Sequence, residues 1–346
     1  MYSLVGHYPS FLVFTALFLA VVFTIVFMPG FIRFLKREDV GQQVREEGLE
    51  SHYKKQGTPT MGGVVMVVAV CLAVLIVGYL DLKIGSLLAV FVAGALIGTV
   101  DDYKKVHYKN TEGMSPKGKL ILQFIVAGIF ILVAVNELSI APTLVFPLFG
   151  VVDCGVLSTT ITIGGYTLII PWIYLIFCLI LLVGMCNAVN LTDGLDGLAS
   201  GCVAMAMLIF AFIAYRMDTI EPAIFAAAIC GACIAFLWFN SNPASIFMGD
   251  TGSLSFGMAV GALAIVTKTE VLSILIGGLF VAEALSVMLQ VFWFKKTKKR
   301  LFLMAPLHHH FEKKGWGENK VVVRFWMISG ILAAAGYALF FMSEVI

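Results

Sequence analysis

The chain has 346 residues, of which 60% are hydrophobic and 13% are charged, and its formal net charge at pH 7 is +2. Soluble domains carry about 25% charged residues, so this composition excludes an ordinary soluble protein and indicates an integral membrane protein. It also argues against nucleic acid as a partner, because the basic residues flank apolar segments and form no single basic stripe.

Apolar segments long enough to span a bilayer follow one another along the chain. A transmembrane helix needs about 20 mostly apolar residues, and the first segment is too long and lacks the basic start of a signal peptide. We therefore predict an all-α polytopic membrane protein of one domain, with ten transmembrane helices and a short external β-hairpin. The predicted spans are residues 11–32, 61–80, 84–100, 119–136, 170–188, 197–216, 222–240, 252–267, 271–294 and 322–343.

The distribution of basic residues predicts the orientation of the chain. If the ten spans alternate in direction and Arg324 is counted with the loop before it, all 23 Lys and Arg residues except Lys83, Arg216 and Lys268 share one face. The positive-inside rule assigns that face to the cytoplasm. Both termini are then expected on the external side.

The external segment 137–169 contains no Lys or Arg. Its β-branched residues on both sides of Gly164–Gly165 predict a hairpin with a Gly-Gly turn. We expect this hairpin to be structural. The cysteines lie mostly in or beside apolar segments, so they predict no disulfide framework, and the pair Cys230 and Cys233 is interpreted as packing.

Polar residues at the cytoplasmic ends of the spans indicate a composite site. Residues 187–198 place two Asn and two Asp between apolar segments. Asp101–Asp102, Asp250 and His308–His310 also lie beside apolar segments on the same predicted face. Charged groups near hydrocarbon are costly and are usually kept for chemistry or transport, so we expect these segments to meet.

Several carboxylates brought together repel one another unless a cation lies between them. Magnesium is the expected cation because it takes oxygen ligands and is commonly held by one or two carboxylates together with substrate phosphates. The histidine triplet leaves zinc as an alternative. The candidate acids are Asp101, Asp102, Asp193, Asp196 and Asp250.

Lysines and helix starts near these acids suit a phosphate. Lys104–Lys105, Lys117 and Lys119 follow the first acidic pair, and Lys54–Lys55 precede a turn-rich segment, 57–63. The N-terminus of a helix presents unpaired N–H groups to an anion. A structural interpretation stays open for each, since Asp before an apolar helix is often only an N-cap and boundary lysines are often topology signals.

Glu283 is the one carboxylate predicted deep inside a span. A buried acid there pairs within the helix bundle, marks a break in the helix or serves the site, and the sequence favours neither a structural nor a functional role.

Five motifs in order along the chain resemble those of the phospho-N-acetylmuramoyl-pentapeptide transferases, a branch of the polyprenyl-phosphate N-acetylhexosamine-1-phosphate transferases. The resemblance extends over roughly residues 50–320, and the family's fold has the same number of spans. The motifs are Thr58–Gly63, Asp101–Lys105, Asn187–Leu198, Phe247–Ser253 and Pro306–Glu312.

The resemblance implies a Mg²⁺-dependent enzyme of the bacterial cytoplasmic (inner) membrane. It would transfer phospho-MurNAc-pentapeptide from UDP-MurNAc-pentapeptide to undecaprenyl phosphate, giving lipid I and UMP at the cytoplasmic face. It would contact membrane lipid and form a homodimer.

The resemblance also implies roles for individual residues, with Asp250 as the Mg²⁺ ligand and Phe247 stacked on uracil. The residues with implied catalytic roles are Asp101, Asp102, Asp250, His308 and His309. Those with implied substrate-binding roles are Lys55, Thr60, Lys117, Asn187, Asn190, Asp193, Asp196, Asn240 and Phe247.

Two mechanisms fit these residues. The lipid phosphate attacks the sugar-linked phosphorus directly, with Asp101 or Asp102 orienting it, or one of these acids first becomes a phosphoryl-aspartate. We favour direct displacement because a site at the membrane edge can hold both substrates at once.

Two other functions compete with this one. A sister transferase would use UDP-GlcNAc, and turnover of the two donors would distinguish them. A cation-coupled transporter would need carboxylates near the membrane midplane, where this chain has only Glu283.

Overall fold

The computed structural model describes residues 9–38, 57–78, 80–108 and 113–345. The helices in these residues are α1 (Pro9–Arg37), α2 (Gly63–Val77), α3 (Leu82–His107), α4 (Pro116–Asn136), α5 (Trp172–Thr192), α6 (Leu198–Arg216), α7 (Ile220–Asn240), α8 (Gly249–Val266), α9 (Glu270–Ile276), α10 (Gly278–Thr297), α11 (Leu307–Lys313) and α12 (Glu318–Val345). The strands are β1 (Thr143–Phe146), β2 (Gly150–Asp153), β3 (Ser158–Ile163) and β4 (Tyr166–Pro171).

Membrane-spanning helices dominate the fold, which confirms the predicted class. In the described residues, nine helices are long and apolar enough to cross a membrane. The predicted span 61–80 corresponds to the shorter helix α2, which has 15 residues. At 1.5 Å per residue α2 extends about 22 Å, less than the roughly 30 Å of a hydrocarbon core.

The predicted span 271–294 is not one helix. It is divided into α9 and α10, which meet at Gly277–Gly278. Consecutive glycines are poor helix formers, so the ladder of hydrogen bonds is easily interrupted there. The long loop after α10 contains the short helix α11, which the hydrophobic pattern did not predict.

The segment predicted to be external forms two antiparallel hairpins. In the predicted one, Ile163 pairs with Tyr166 across Gly164 and Gly165, whose φ angles are +56° and +87°. Positive φ at both central residues is what a tight two-residue hairpin requires, so this prediction is confirmed. The other hairpin, which pairs β1 with β2, was missed by the sequence analysis.

Helix α8 lies at the centre of the bundle, and almost all its side chains are buried. Glycines allow two neighbouring helices to approach its N-terminus closely. A Cβ added to Gly98 on α3 would lie 2.2 Å from the carbonyl oxygen of Asp250, and one added to Gly63 on α2 would lie 2.2 Å from the Gly252 nitrogen. The start of α8 is therefore enclosed by the last turns of α3 and the first turn of α2.

Candidate functional site

Three carboxylates meet at the N-terminus of α8. Asp101 and Asp102, on the last turns of α3, each offer an oxygen that lies within 4.8 Å of one from Asp250 on the first turn of α8. Asp101 is 2% exposed and Asp102 is 4% exposed. The predicted convergence of these two acidic segments is confirmed.

Asp102 acts as a cap for α8. Its Oδ1 accepts the backbone N–H of Asp250 at 3.0 Å, and its Oδ2 accepts the backbone N–H and the hydroxyl of Thr251 at 2.9 and 2.8 Å. Gly249 has φ +76°, and a Cβ there would lie 2.6 Å from Asp102 Oδ2. Both Asp102 oxygens are thus occupied by the helix start, where unpaired N–H groups favour an acceptor.

Two lysines cross-link the other two acids. Lys105 Nζ lies 2.6 Å from Asp101 Oδ2 and 3.0 Å from Asp250 Oδ2. Lys119 Nζ lies 2.6 Å from the same Asp250 oxygen. Lys105 and Lys119 were both among the lysines expected to suit a phosphate. Lys117, to which the resemblance gave a substrate-binding role, is exposed on the first turn of α4. Only one residue, Gly118, separates Lys117 from Lys119, so the two lysines point to different sides of the helix. For Lys105, the i, i+4 spacing from Asp101 was the available signal.

Asn190 completes the contacts of Asp250. Its amide nitrogen donates to Asp250 Oδ1 at 2.8 Å and to Ser253 Oγ at 2.8 Å. Asn187 lies one turn deeper in the bundle, where its amide donates to Gln123 Oε1 at 2.7 Å. The structure therefore brings Asn190 to the carboxylates and places Asn187 behind it.

Asp193 and Asp196 follow in the loop after α5. Burial and the neighbouring carboxylates of Asp250, Asp102 and Asp196 raise the pKa of Asp193 to about 8. An Asp with this pKa is mostly protonated at neutral pH, because a negative charge there is opposed by its surroundings.

Asp196 and Asn240 hold the loop that leads to α8. Asp196 Oδ2 accepts the Asn242 amide at 3.0 Å and the Ala244 backbone N–H at 3.1 Å. Asn240 is 3% exposed, accepts the Gly197 N–H at 3.0 Å and donates to the Ile246 carbonyl at 2.9 Å. Both residues are buried, and their hydrogen bonds fix the backbone between α7 and α8.

Thr60 and Phe247 lie on neighbouring backbone segments. Phe247 donates its N–H to the Pro59 carbonyl at 2.8 Å and accepts that of Gly62 at 2.8 Å. The Thr60 hydroxyl lies 3.1 Å from the Cβ position of Gly249. Thr60 thus reaches the start of α8, and the Phe247 ring is partly exposed. Lys55 lies outside the described residues.

The histidine motif lies on α11. His308 is fully buried beside Glu283 of α10, and His309 Nδ1 lies 2.7 Å from Glu312. His310 Nδ1 accepts the backbone N–H of Leu303 at 3.1 Å. Of the three, His308 reaches the predicted site, since it packs against Gly194 beside Asp193.

Among the residues that the structure describes, the site has more negative groups than positive ones. Asp101, Asp102 and Asp250 face two ammonium groups, and the oxygen-only donor set of the three acids suits a hard divalent cation. Such a cation, the lysines and the adjacent helix start together favour a phosphorylated ligand.

Comparisons with known proteins agree with this chemistry. Residues 84–268 match the family described as glycosyl transferase family 4. Among curated proteins, phospho-N-acetylmuramoyl-pentapeptide-transferase of Desulfotalea psychrophila is 45% identical over 324 residues, covering 88% of this chain and 86% of that protein. The protein of the same name from Halalkalibacterium halodurans is 46% identical over 324 residues, covering 92% and 94%.

A third relative with that name, from Pelagibacter ubique, is 44% identical over 327 residues, covering 89% of this chain and 87% of that protein. Alignments that cover 88 to 92% of this chain include every segment that builds the carboxylate site. This chain belongs to the family of phospho-N-acetylmuramoyl-pentapeptide transferases.

Proposed function

We propose that this chain transfers phospho-MurNAc-pentapeptide from UDP-MurNAc-pentapeptide to undecaprenyl phosphate, giving lipid I and UMP in peptidoglycan synthesis. One observation carries the proposal: three carboxylates and two lysine ammonium groups meet at the start of a buried helix, at one end of a membrane-spanning bundle. At such a place a soluble diphosphate would arrive from water and a lipid phosphate from the membrane.

The three acids fit a Mg²⁺ ion. Their oxygens lie within 4.8 Å of one another, and Mg²⁺ is held by carboxylates together with substrate phosphates. Asp250 and Asp101 would hold the ion in exchange for their side-chain contacts with Lys105, because both oxygens of Asp102 are held by the backbone and hydroxyl that start α8. When bound, the ion would neutralise charge on the diphosphate and orient both substrates.

The chemistry is a direct displacement at phosphorus. An oxygen of the lipid phosphate forms a bond to the sugar-linked phosphorus while the bond from that phosphorus to the UMP oxygen breaks. Lys105 and Lys119 would stabilise the charge that the departing UMP acquires, because preorganised cations do so without reorganisation. Asp101, which accepts the Met114 N–H at 2.8 Å, is the acid available to orient the lipid phosphate.

The proposed reaction is tested with purified protein in detergent. We expect UMP release that requires both a polyprenyl phosphate and Mg²⁺ and that stops with EDTA. UDP-GlcNAc is the matched control donor. UMP release from UDP-GlcNAc at an equal rate would assign the chain to the sister reaction instead, and donor uptake into proteoliposomes without UMP release would favour a transporter.

Direct displacement predicts no phosphoryl-enzyme. Incubation with donor labelled at the sugar-linked phosphate, without acceptor, is expected to leave the protein unlabelled, because the attacking group is absent. Acid-stable label that disappears in Asp101→Asn would contradict direct displacement and support the two-step route.

We further propose that the carboxylate site faces the cytoplasm of a bacterial inner membrane and that both termini face outward. The asymmetry of Lys and Arg supports this orientation. A protease-cleavable tag at the C-terminus is expected to be accessible from outside spheroplasts. Cleavage only in inverted vesicles would reverse the orientation.

A homodimer is part of the proposal, supported by the family resemblance. Cross-linking in native membranes, followed by gel separation, should give a species of twice the chain's mass of 37.6 kDa. Recovery of monomer alone at saturating cross-linker would contradict it.

A further inference from the structure

Glu283 is a buried carboxylate that the mechanism above does not use. It lies on α10, is 0% exposed, and its Oε2 atom has no hydrogen-bond partner among the described residues. An ionisable group at this depth is costly and calls for a partner or a function.

The partner of Glu283 is His308. Glu283 Oε1 accepts the backbone N–H of His308 at 3.2 Å, and His308 Nδ1 lies 3.2 Å from the same oxygen. One carboxylate oxygen therefore accepts the backbone N–H on the first turn of α11 and contacts the imidazole ring, whose two nitrogens have no hydrogen-bond partner among the described residues. Because α11 has only seven residues, its position depends on such external contacts.

His308 also contacts the loop that carries Asp193. Its Nε2 lies 2.3 Å from the position that a Cβ on Gly194 would occupy, so the imidazole is packed directly on the glycine backbone. Gly194 follows Asp193 in the loop after α5. The opposite end of α11 is held separately, by Phe311 packed on Trp316 with ring centroids 4.6 Å apart.

We propose that Glu283 is a positioning residue, which holds His308 against Gly194 and thereby fixes the loop carrying Asp193 for binding of the nucleotide-sugar donor. This inference rests on the proposed function for its kinetic consequence. The contact itself is independent of any reaction.

The kinetic test is a double-mutant cycle of Glu283→Ala and His308→Ala, with KM measured for each substrate. We expect Glu283→Ala to lower kcat/KM for the donor about 100-fold, since misplacement by about 1 Å has that effect, and to leave KM for the polyprenyl phosphate within about twofold. In the His308→Ala background, Glu283→Ala is expected to lower the donor kcat/KM by less than a further factor of about three, because the two residues act as a unit.

The conservative variant Glu283→Gln retains an oxygen for the His308 N–H and is expected to recover most of the donor kcat/KM. Glu270→Gln is the matched control, because Glu270 is equally buried but lies at the other end of the bundle. If Glu283→Ala does not insert, Glu283→Asp replaces it, since it withdraws the carboxylate by one methylene and keeps the charge.

A second measurement needs no activity. Carbethoxylation of histidines with diethyl pyrocarbonate, localised by mass spectrometry, is expected to spare His308 in the wild type and in Glu270→Gln and to modify it in Glu283→Ala. Continued protection of His308 in Glu283→Ala, or multiplicative losses in the double mutant, would overturn the proposal. A wild type that releases no UMP but shows this protection pattern would contradict the proposed function and leave the positioning role in place.

Discussion

The two ends of the bundle each contain buried acids paired with lysine, and the two clusters differ in their balance of charge. At the end near the hairpins, Glu270 Oε1 accepts the Tyr174 hydroxyl at 2.6 Å and Lys268 Nζ at 2.7 Å. Lys268 also donates to the carbonyls of Ala141 and Thr143, at 2.9 and 2.5 Å. One acid meets one base, and the lysine has its hydrogen bonds satisfied.

The carboxylate site at the other end is not balanced in this way. Asp101 and Asp250 share Lys105 and Lys119, while Asp102 binds the start of α8. Burial and the nearby carboxylates of Asp250 and Asp102 raise the pKa of Asp193. The balanced cluster fastens the hairpin of β1 and β2 to the bundle, through the bonds of Lys268 to Ala141 and Thr143. Under the proposed function, a bound cation would balance the excess negative charge of the carboxylates and bind the phosphates of the substrate.

The strongest challenge to this comparison is Asp250→Asn. We expect UMP release to fall at least about 100-fold, because one oxygen that binds both lysines and would bind Mg²⁺ is lost. The protein should still insert, which detergent extraction and size-exclusion chromatography check. More than about a tenth of the wild-type rate would remove Asp250 from the proposed metal site.

Lys119 and Lys117 provide a second test of the carboxylate site. Lys119→Gln is expected to reduce kcat about 10- to 100-fold, because it removes a cation that lies 2.6 Å from Asp250. Lys117→Gln is the matched control on the same helix turn, and it should reduce kcat less than Lys119→Gln does, since Lys117 is exposed. A larger loss for Lys117 would mean that the contact of Lys119 is not used in turnover.

At the hairpin end the expected effect is on stability. Glu270→Gln leaves Lys268 partly uncompensated in a buried place, which costs about 3 kcal/mol and should lower the melting temperature in detergent by roughly 5 °C. Its kcat at 25 °C should stay within about twofold of the wild type. Loss of activity in a sample that keeps its melting temperature would contradict a purely structural role.

The smallest expected effect is a pH dependence from Asp193. Its folded-state pKa is raised to about 8, so the folded protein keeps a proton that the unfolded chain has already lost. The stability contributed by that proton falls as pH rises through about 8. In magnesium-free buffer, the melting temperature of the wild type should fall more between about pH 6 and about pH 9 than that of Asp193→Asn. If the melting temperatures of the wild type and Asp193→Asn fall equally over this pH range, other groups cause the fall in the wild type.

Hydrophobic periodicity and charge predicted most of the fold. The spans, the Gly164–Gly165 hairpin and the grouping of acids at one end follow from segment length, turn residues and alternation, which are local properties. The break at Gly277 was missed although the two glycines were a local signal for it, because the apolar run continues across them. The helix α11 was missed because its position depends on contacts with distant residues, such as that between His308 and Glu283.

The site shows the same division at the level of single residues. The sequence by itself determined that Asp101, Asp102, Asn190 and Asp250 belong to one site, because polar groups beside apolar spans need a shared purpose. Only the tertiary structure decided that Lys119 faces the acids, that Asp102 is occupied as a helix cap and that Glu283 holds His308. Side-chain direction and close packing depend on which helices meet and at what distance, and neither is encoded within one segment.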